Sequence, residues 1–273
     1  MKQNLGEIYF SGIPSSRVGE YTGRIKCPCH YEFWRHIESI FRNVKDKIVV
    51  DMGCGPGLKS LTLALSGARV VAIDCNEEKL NDCKRNSFLV ENLHGRLNVF
   101  SYRHDLRKKI PFLNSDFADF ILCYEVIEHL DETKTFISEI LRIMKCGSLA
   151  IVTTPNKNVC FPADREKLYG EELYGHTKVF NADTLKAVFD IKGVKVEKIF
   201  FYKHFLMRLF CGIIHKFMKF DKYKRPLPTL FCRGYNLILF PVLNFFVHLE
   251  EKLKEKRDSG KHIFIVIRKE YKP

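Results

Sequence analysis

The sequence has no apolar run long enough to cross a bilayer. Its longest nearly uncharged stretch, residues 234–248, falls short of the roughly 20 consecutive apolar residues that a spanning helix needs. No apolar signal-peptide core follows Met1, which sets the expectation of a cytoplasmic protein. The ten cysteines fall singly in segments that read as strand, helix and loop, without the spacing of a disulfide framework, and this fits a reducing compartment. The one local cluster, Cys27-Pro28-Cys29-His30, lacks a second half at zinc-finger spacing, so no metal is assigned to it from sequence. Also missing is the G-x-G-x-x-G fingerprint of nicotinamide dehydrogenases, because its sixth position is Leu58.

What is abundant is positive charge. Lys and Arg number 45 against 32 Asp and Glu, a formal net charge of +13, with local clusters over 103–109, 216–225 and 252–257. This balance suits acidic partners, whether nucleic acid, anionic lipid or phosphorylated and carboxylated small molecules, and equally suits a solvated lysine-rich surface. At 273 residues, one large α/β domain with insertions is expected.

The chain is organised around Ile48-Val49-Val50-Asp51-Met52-Gly53-Cys54-Gly55-Pro56-Gly57. A β-branched run without polar alternation reads as a central parallel strand buried on both faces. The three glycines after Asp51 read as a tight turn that a bulky ligand can approach closely, and residues 58–66 as a helix whose first N–H groups face the same crevice. Further strands are expected over 69–74, 97–101, 118–124, 148–154, 194–201 and 262–268. Helices are expected over 32–41, 76–88, 182–189 and from Asp131, as a cap, through Met144. The fold class that follows is a Rossmann-like, doubly wound, seven-stranded α/β sheet, mostly parallel with the last strand antiparallel. We divide it into an N-terminal arm and helix (1–46), a core (47–201), an apolar and basic insertion (202–256) and a final core strand (257–273). The insertion reads as a cap over the active site, or alternatively as an interfacial surface for membrane or lipid.

VVDMGCGPG, VAIDCN, the Asp105-Leu106 pair, ILCYEVIEHL and LRIMKCGSLAIVTTPN occur in this order over residues 47–156. Together they resemble the motifs of the class I S-adenosylmethionine-dependent methyltransferases, and within them the ubiquinone-biosynthesis O-methyltransferases. Asp74 lies 21 positions after Gly53, near the spacing of about 20 at which a dinucleotide-type fold presents a carboxylate to ribose hydroxyls. The resemblance implies S-adenosyl-L-methionine as cofactor, bound by Asp51, Gly53, Gly55, Gly57, Asp74, Cys75, Asp105, Leu106 and Tyr124. The three glycines would leave room for its methionine part.

Methyl transfer from a sulfonium needs alignment and one base. Glu125, Glu128 and His129, three and four positions apart, are expected on one face of a helical turn. His129 is the candidate base, and His176, in a later loop, can reach the same crevice. The favoured acceptor is a small molecule or lipid-linked compound. The same E-x-x-E-H and distant His also resemble the small-RNA 3′-terminal 2′-O-methyltransferases, in which Glu125, Glu128, His129 and His176 would hold Mg²⁺ or Mn²⁺. No recognisable RNA-binding module supports that alternative. A third reading, a non-catalytic binding subunit, is opposed by the intact Asp51, Asp74 and glycines. Oligomeric state is left open.

Overall fold

Strands made of unbroken β-branched runs have no polar face to offer water, so they settle where both faces are covered. In the computed structural model, which describes residues 26–160, 177–223 and 233–270, Ile48–Met52 (β1) lies inside the sheet. It runs parallel to Arg69–Asp74 (β2) on one side and Ala118–Tyr124 (β4) on the other, with Val50 opposite Val71 and Ile121. Val99–Arg103 (β3) extends the sheet beyond β2. Beyond β4 come Met144–Pro155 (β5), His262–Lys269 (β7) and Val194–Tyr202 (β6). The seven-stranded order is β3-β2-β1-β4-β5-β7-β6, and β7 is antiparallel to both of its neighbours. The expected fold class is therefore the observed one.

Alternation along each strand sends successive side chains to opposite faces. On one face Val49, Val70, Leu122 and Phe264 pack with Pro28–Phe41 (α1) and Leu58–Leu65 (α2). On the other, Val50, Ile73, Ile121 and Ile265 pack with Lys134–Ile143 (α4), through Phe136 and Ile140, and with Ala182–Val188 (α6), through Leu185. Glu77–His94 (α3) lies over β2 and β3.

Several boundaries differ from the sequence reading for local reasons. Helix α1 starts at Pro28, inside the stretch assigned to the arm, because proline at the first helical turn has its φ preset and its missing N–H costs nothing there. Helix α3 continues to His94; Asn76 accepts from Lys79 N at 3.0 Å to start it and Gly95, at φ 85°, ends it. The third strand sits two residues later than expected. Thr133, not Asp131, occupies the capping position of α4. Strand β5 begins at Met144, before Cys146-Gly147, because Met144 already pairs with Ala118 and the irregular stretch up to Leu149 is absorbed as a bulge.

The insertion forms Phe205–Tyr223 (α7), a π-helical turn Tyr235–Leu239, and Phe240–Lys254 (α8). Glu250 and Glu251 of α8 cap α7 from outside: Leu206 N donates to Glu250 at 2.6 Å, and His204 N and Lys203 N to Glu251 at 2.8 and 3.2 Å. His248 Nδ1 lies 3.1 Å from Glu32 on α1. Through these contacts the described part of the insertion buttresses α1. No helix among the described residues is long and apolar enough to cross a membrane.

Candidate active site

The glycine turn joins β1 to α2 at the carboxyl edge of the sheet, where ligands bind in open α/β folds. Its three glycines have separate reasons to be glycine. All have positive φ, at 78°, 53° and 80°. A Cβ on Gly53 would lie 2.2 Å from Val126, and one on Gly57 would lie 2.3 Å from the Cys83 sulfur, whereas one on Gly55 meets nothing within 4 Å. Packing alone therefore requires glycine at positions 53 and 57, whereas a Cβ at Gly55 would face open space.

Strand order lines up the carboxylates along this edge. Asp105 follows β3, Asp74 ends β2, Asp51 lies in β1, and Tyr124 and Glu125 end β4. Asp74 Oδ2 accepts from Gly55 N and its Oδ1 from Asn76 N, both at 2.8 Å, so it is fixed with lone pairs to spare. Cys75 beside it is exposed. Asp105 is held by Arg107 through Nε and a terminal nitrogen at 2.9 and 3.1 Å, and that pairing lowers its pKa. Leu106 is buried. Asp51 is 1 % exposed and accepts from Ser60 Oγ at 2.6 Å. Burial pushes its pKa up to about 6, against the opposing pull of Ser60 and Lys59. An open Gly55 beside a fixed ribose-type acceptor fits an adenosyl cofactor lying across β3, β2 and β1.

Next to the turn is a cavity of about 410 Å³. Cys54, Pro56, Leu58 and Lys59 of the turn and α2 form one wall, His30, Phe33 and Trp34 of α1 another, and Tyr124, Tyr202 and His262 the base. Lys59 Nζ stands 3.7 Å from the centre of the Tyr124 ring. Burial lowers the Lys59 pKa, although Asp51 and Glu125 pull it upward.

Glu125 has φ 56°, a left-handed conformation that is unfavourable for glutamate and turns its side chain back across the strand ends. There Thr153 Oγ1 donates to its Oε1 at 2.9 Å, and His262 Nδ1 lies 3.1 Å from its Oε2, off the line of an ideal hydrogen bond. Burial alone would raise the Glu125 pKa, but His262, Thr153 and Lys59 outweigh it and leave the carboxyl below its ordinary range.

The expected face of Glu125, Glu128 and His129 does not form. Only Ile127–His129 is helical, as a 3-10 turn, and the left-handed Glu125 precedes it. Glu128 is buried while His129 is exposed, so the two point apart, and neither is a wall of the cavity. Burial, reinforced by the Glu125 carboxylate, raises the Glu128 pKa well above the ordinary value. Among the described residues these side chains form no metal-ligand group. His176 lies outside the described residues; Thr177, which follows it, donates to the Glu128 carbonyl at 2.8 Å. Sequence reasoning missed His262. Its one signal was its place at the head of the last strand, whose antiparallel return brings it to the carboxyl ends of its neighbours.

Residues 50–152 match a family model described as a methyltransferase domain. The chain is 32 % identical over 114 residues to a ubiquinone biosynthesis O-methyltransferase of Hahella chejuensis, covering 41 % of this chain and 44 % of that one. It is 26 % identical to a probable S-adenosylmethionine-dependent methyltransferase of Mycolicibacterium smegmatis, covering 62 % of this chain and 61 % of that one. The chain thus spans about half the length of the curated relatives it matches. In fold it resembles a SAM-dependent methyltransferase of Archaeoglobus fulgidus, with TM-score 0.52, 20 % identity and coverage of 87 % and 92 %. It also resembles phosphoethanolamine N-methyltransferase 2 of Haemonchus contortus in complex with S-adenosyl-L-methionine, with TM-score 0.61, 13 % identity and coverage of 98 % and 56 %. Motif order, glycine turn, sheet topology and relatives agree, and the chain carries a class I S-adenosylmethionine-dependent methyltransferase domain.

Proposed function

We propose that the protein methylates an oxygen of a small, lipid-linked acceptor, with His262 rather than His129 taking the acceptor's proton. The observation that carries this is His262, which lines the cavity that adjoins the glycine turn and has the Glu125 carboxylate 3.1 Å from its Nδ1. Bound S-adenosylmethionine supplies a methyl group on an already activated leaving group, so alignment and one proton acceptor meet the chemical need. Glu125, held ionised, favours the Nδ1–H tautomer of His262 and leaves Nε2 to receive the proton. Phe33, Trp34 and Tyr124 exclude water around the acceptor. Lys59, Lys203 and Lys261 give the same cavity a positive lining, suited to an acidic hydroxyl or a carboxylated ring.

A lipid-linked acceptor is supported by the outer face of the insertion. Leu237, Phe245 and Leu253 are 77 %, 61 % and 70 % exposed, a surface suited to peripheral contact with a bilayer from the cytoplasmic side. The names of the ubiquinone-biosynthesis relatives point the same way. The RNA alternative loses its main support, because Glu125 is engaged with Thr153 and His262 instead of joining Glu128 and His129.

The test is transfer of labelled methyl from S-adenosylmethionine into fractionated lipid, small-metabolite and RNA pools, by wild type and by His262→Asn. Label in the organic-extractable pool, lost in the variant, is the expected result. Label in RNA, or full activity in the variant, overturns the reading.

A further inference from the structure

We propose that Cys27, Cys29 and Cys211 bind a zinc ion. Their sulfurs all lie within 4.8 Å of one another, with Cys27 Sγ 3.1 Å from Cys29 Sγ and 3.3 Å from Cys211 Sγ. The residues are 0 %, 6 % and 1 % exposed, and they are the one group of potential metal ligands that the described residues bring together. Sequence spacing hid it: Cys27-Pro28-Cys29 has no second half nearby, and the third sulfur arrives from α7, 184 positions later.

The donor set selects the ion. Three soft thiolates favour zinc over the hard divalent cations, and zinc imposes no geometry beyond a tetrahedron that tolerates a fourth ligand from solvent or a neighbouring side chain. Zinc–sulfur bonds of about 2.3 Å place tetrahedral ligands about 3.8 Å apart. The two Cys27 separations, 3.1 and 3.3 Å, are shorter by roughly 0.5 to 0.7 Å, a shift that small rotations of the side chains around a common centre supply. They are longer than the roughly 2.05 Å of a disulfide, and all three residues are free cysteines.

The local backbone favours thiolate as well. Cys27 is the N-cap residue of α1, extended at φ −118° and ψ 128°, and its side chain makes no capping hydrogen bond. The positive end of the helix dipole therefore lies on the side of Cys27. Three buried thiolates without a cation would be costly, so the thiols hold their protons until the ion enters and displaces three of them.

The site fastens the first turn of α1 to α7. Tyr202 Oη donates to the Cys29 carbonyl and Tyr235 Oη to the Lys26 carbonyl, the latter at 3.1 Å, so the same corner is already clamped from two other elements. Cys29 and His30 also belong to the cavity wall, so the cluster adjoins the cavity. The proposal does not depend on the methyl acceptor or on methyl transfer.

The experiment is metal analysis of the full chain, produced without a histidine tag and without chelator. Wild type is expected to carry about one zinc per chain after dialysis, Cys211→Ser less than about a tenth, and the Cys146→Ser control the wild-type amount. Because Cys211→Ser can fail to fold, wild type is also loaded with Co²⁺, and a thiolate-to-cobalt charge-transfer band is expected. Reduced wild type that takes up neither zinc nor cobalt overturns the proposal, as does a Cys27–Cys211 or Cys27–Cys29 disulfide in the freshly isolated protein. Zinc retained at the wild-type level by a folded Cys211→Ser overturns it too.

Discussion

Asp51→Asn separates the electrostatics of the cofactor loop from its shape. Asparagine keeps the size of the side chain and an oxygen to accept from Ser60, but it does not titrate. In the wild type burial raises the carboxyl pKa from 3.8 to about 6. Between those values the folded chain holds a proton that the unfolded chain has released. The unfolding free energy therefore falls as pH rises through that window, and the loss is complete above about 6. At 1.36 kcal/mol for each tenfold change, the gap amounts to about 3 kcal/mol. Urea unfolding at about pH 4, where a little of the gap is already lost, and about pH 7.5 should show wild type losing about 2.4 kcal/mol more than Asp51→Asn between the two conditions. Equal losses in the two proteins would refute the argument that a buried, ionised Asp51 stresses the loop. The cofactor's ammonium group would relieve the stress, so at about pH 6 calorimetry in buffers of different ionisation enthalpy should detect proton release on S-adenosylmethionine binding. Asp51→Asn should abolish that release and weaken binding by about tenfold or more.

His262→Asn should lower kcat by about 10²- to 10⁴-fold while leaving the Kd for S-adenosylmethionine within about twofold, and Glu125→Gln should shift the pH profile of the residual activity. Gly57→Ala should cost several kcal/mol of stability, because the new Cβ meets Cys83 at 2.3 Å; Gly55→Ala should cost about 1 to 2 kcal/mol for its positive φ and act mainly by weakening cofactor binding, and denaturation curves with cofactor titrations distinguish the two. Replacing Leu237 and Phe245 together by Asp should leave the melting temperature and cofactor affinity near wild type but reduce sedimentation with anionic vesicles, and unchanged sedimentation would remove the support for a membrane-facing insertion. Phe136→Ala, at a fully buried site beneath β4 and β5, should cost about 3 to 5 kcal/mol in urea unfolding.

The parts of the molecule legible in the sequence are those fixed by local chemistry. The β-branched runs at Ile48–Met52 and Arg69–Asp74 declare buried parallel strands, and each ends in an acid next to a turn. Asp51, Asp74 and the glycines could therefore be placed before any coordinates. Residues whose position depends on tertiary return were not legible. His262 reaches Glu125 because β7 enters the sheet in reverse, and Cys211 reaches Cys27 because α7 folds back on α1. Glu128 and His129 were misplaced for a different reason: helical spacing was assumed across a segment that Glu125 breaks by turning left-handed, and a glutamate gives no warning of that. At β5 the sequence pattern points to a strand starting at 148, yet pairing with β4 begins at Met144, across an irregular stretch that the side chains do not announce.

The reversed position of β7 also bears on how the chain is built. It is the last strand in sequence, but it lies between β5 and β6, which have no contact in the sheet except through it. During synthesis both of these strands emerge well before the one that joins them. Until His262–Lys269 arrives, β5 presents an open edge and β6 has no place in the sheet, and open apolar edges are where chains pair wrongly. Insertion of that single strand completes the sheet and delivers His262 to Glu125 in the same event. A ribosome-bound chain that stops short of β7 would therefore lack His262 beside the glycine turn, and if His262 is the base proposed above, transfer would await that strand.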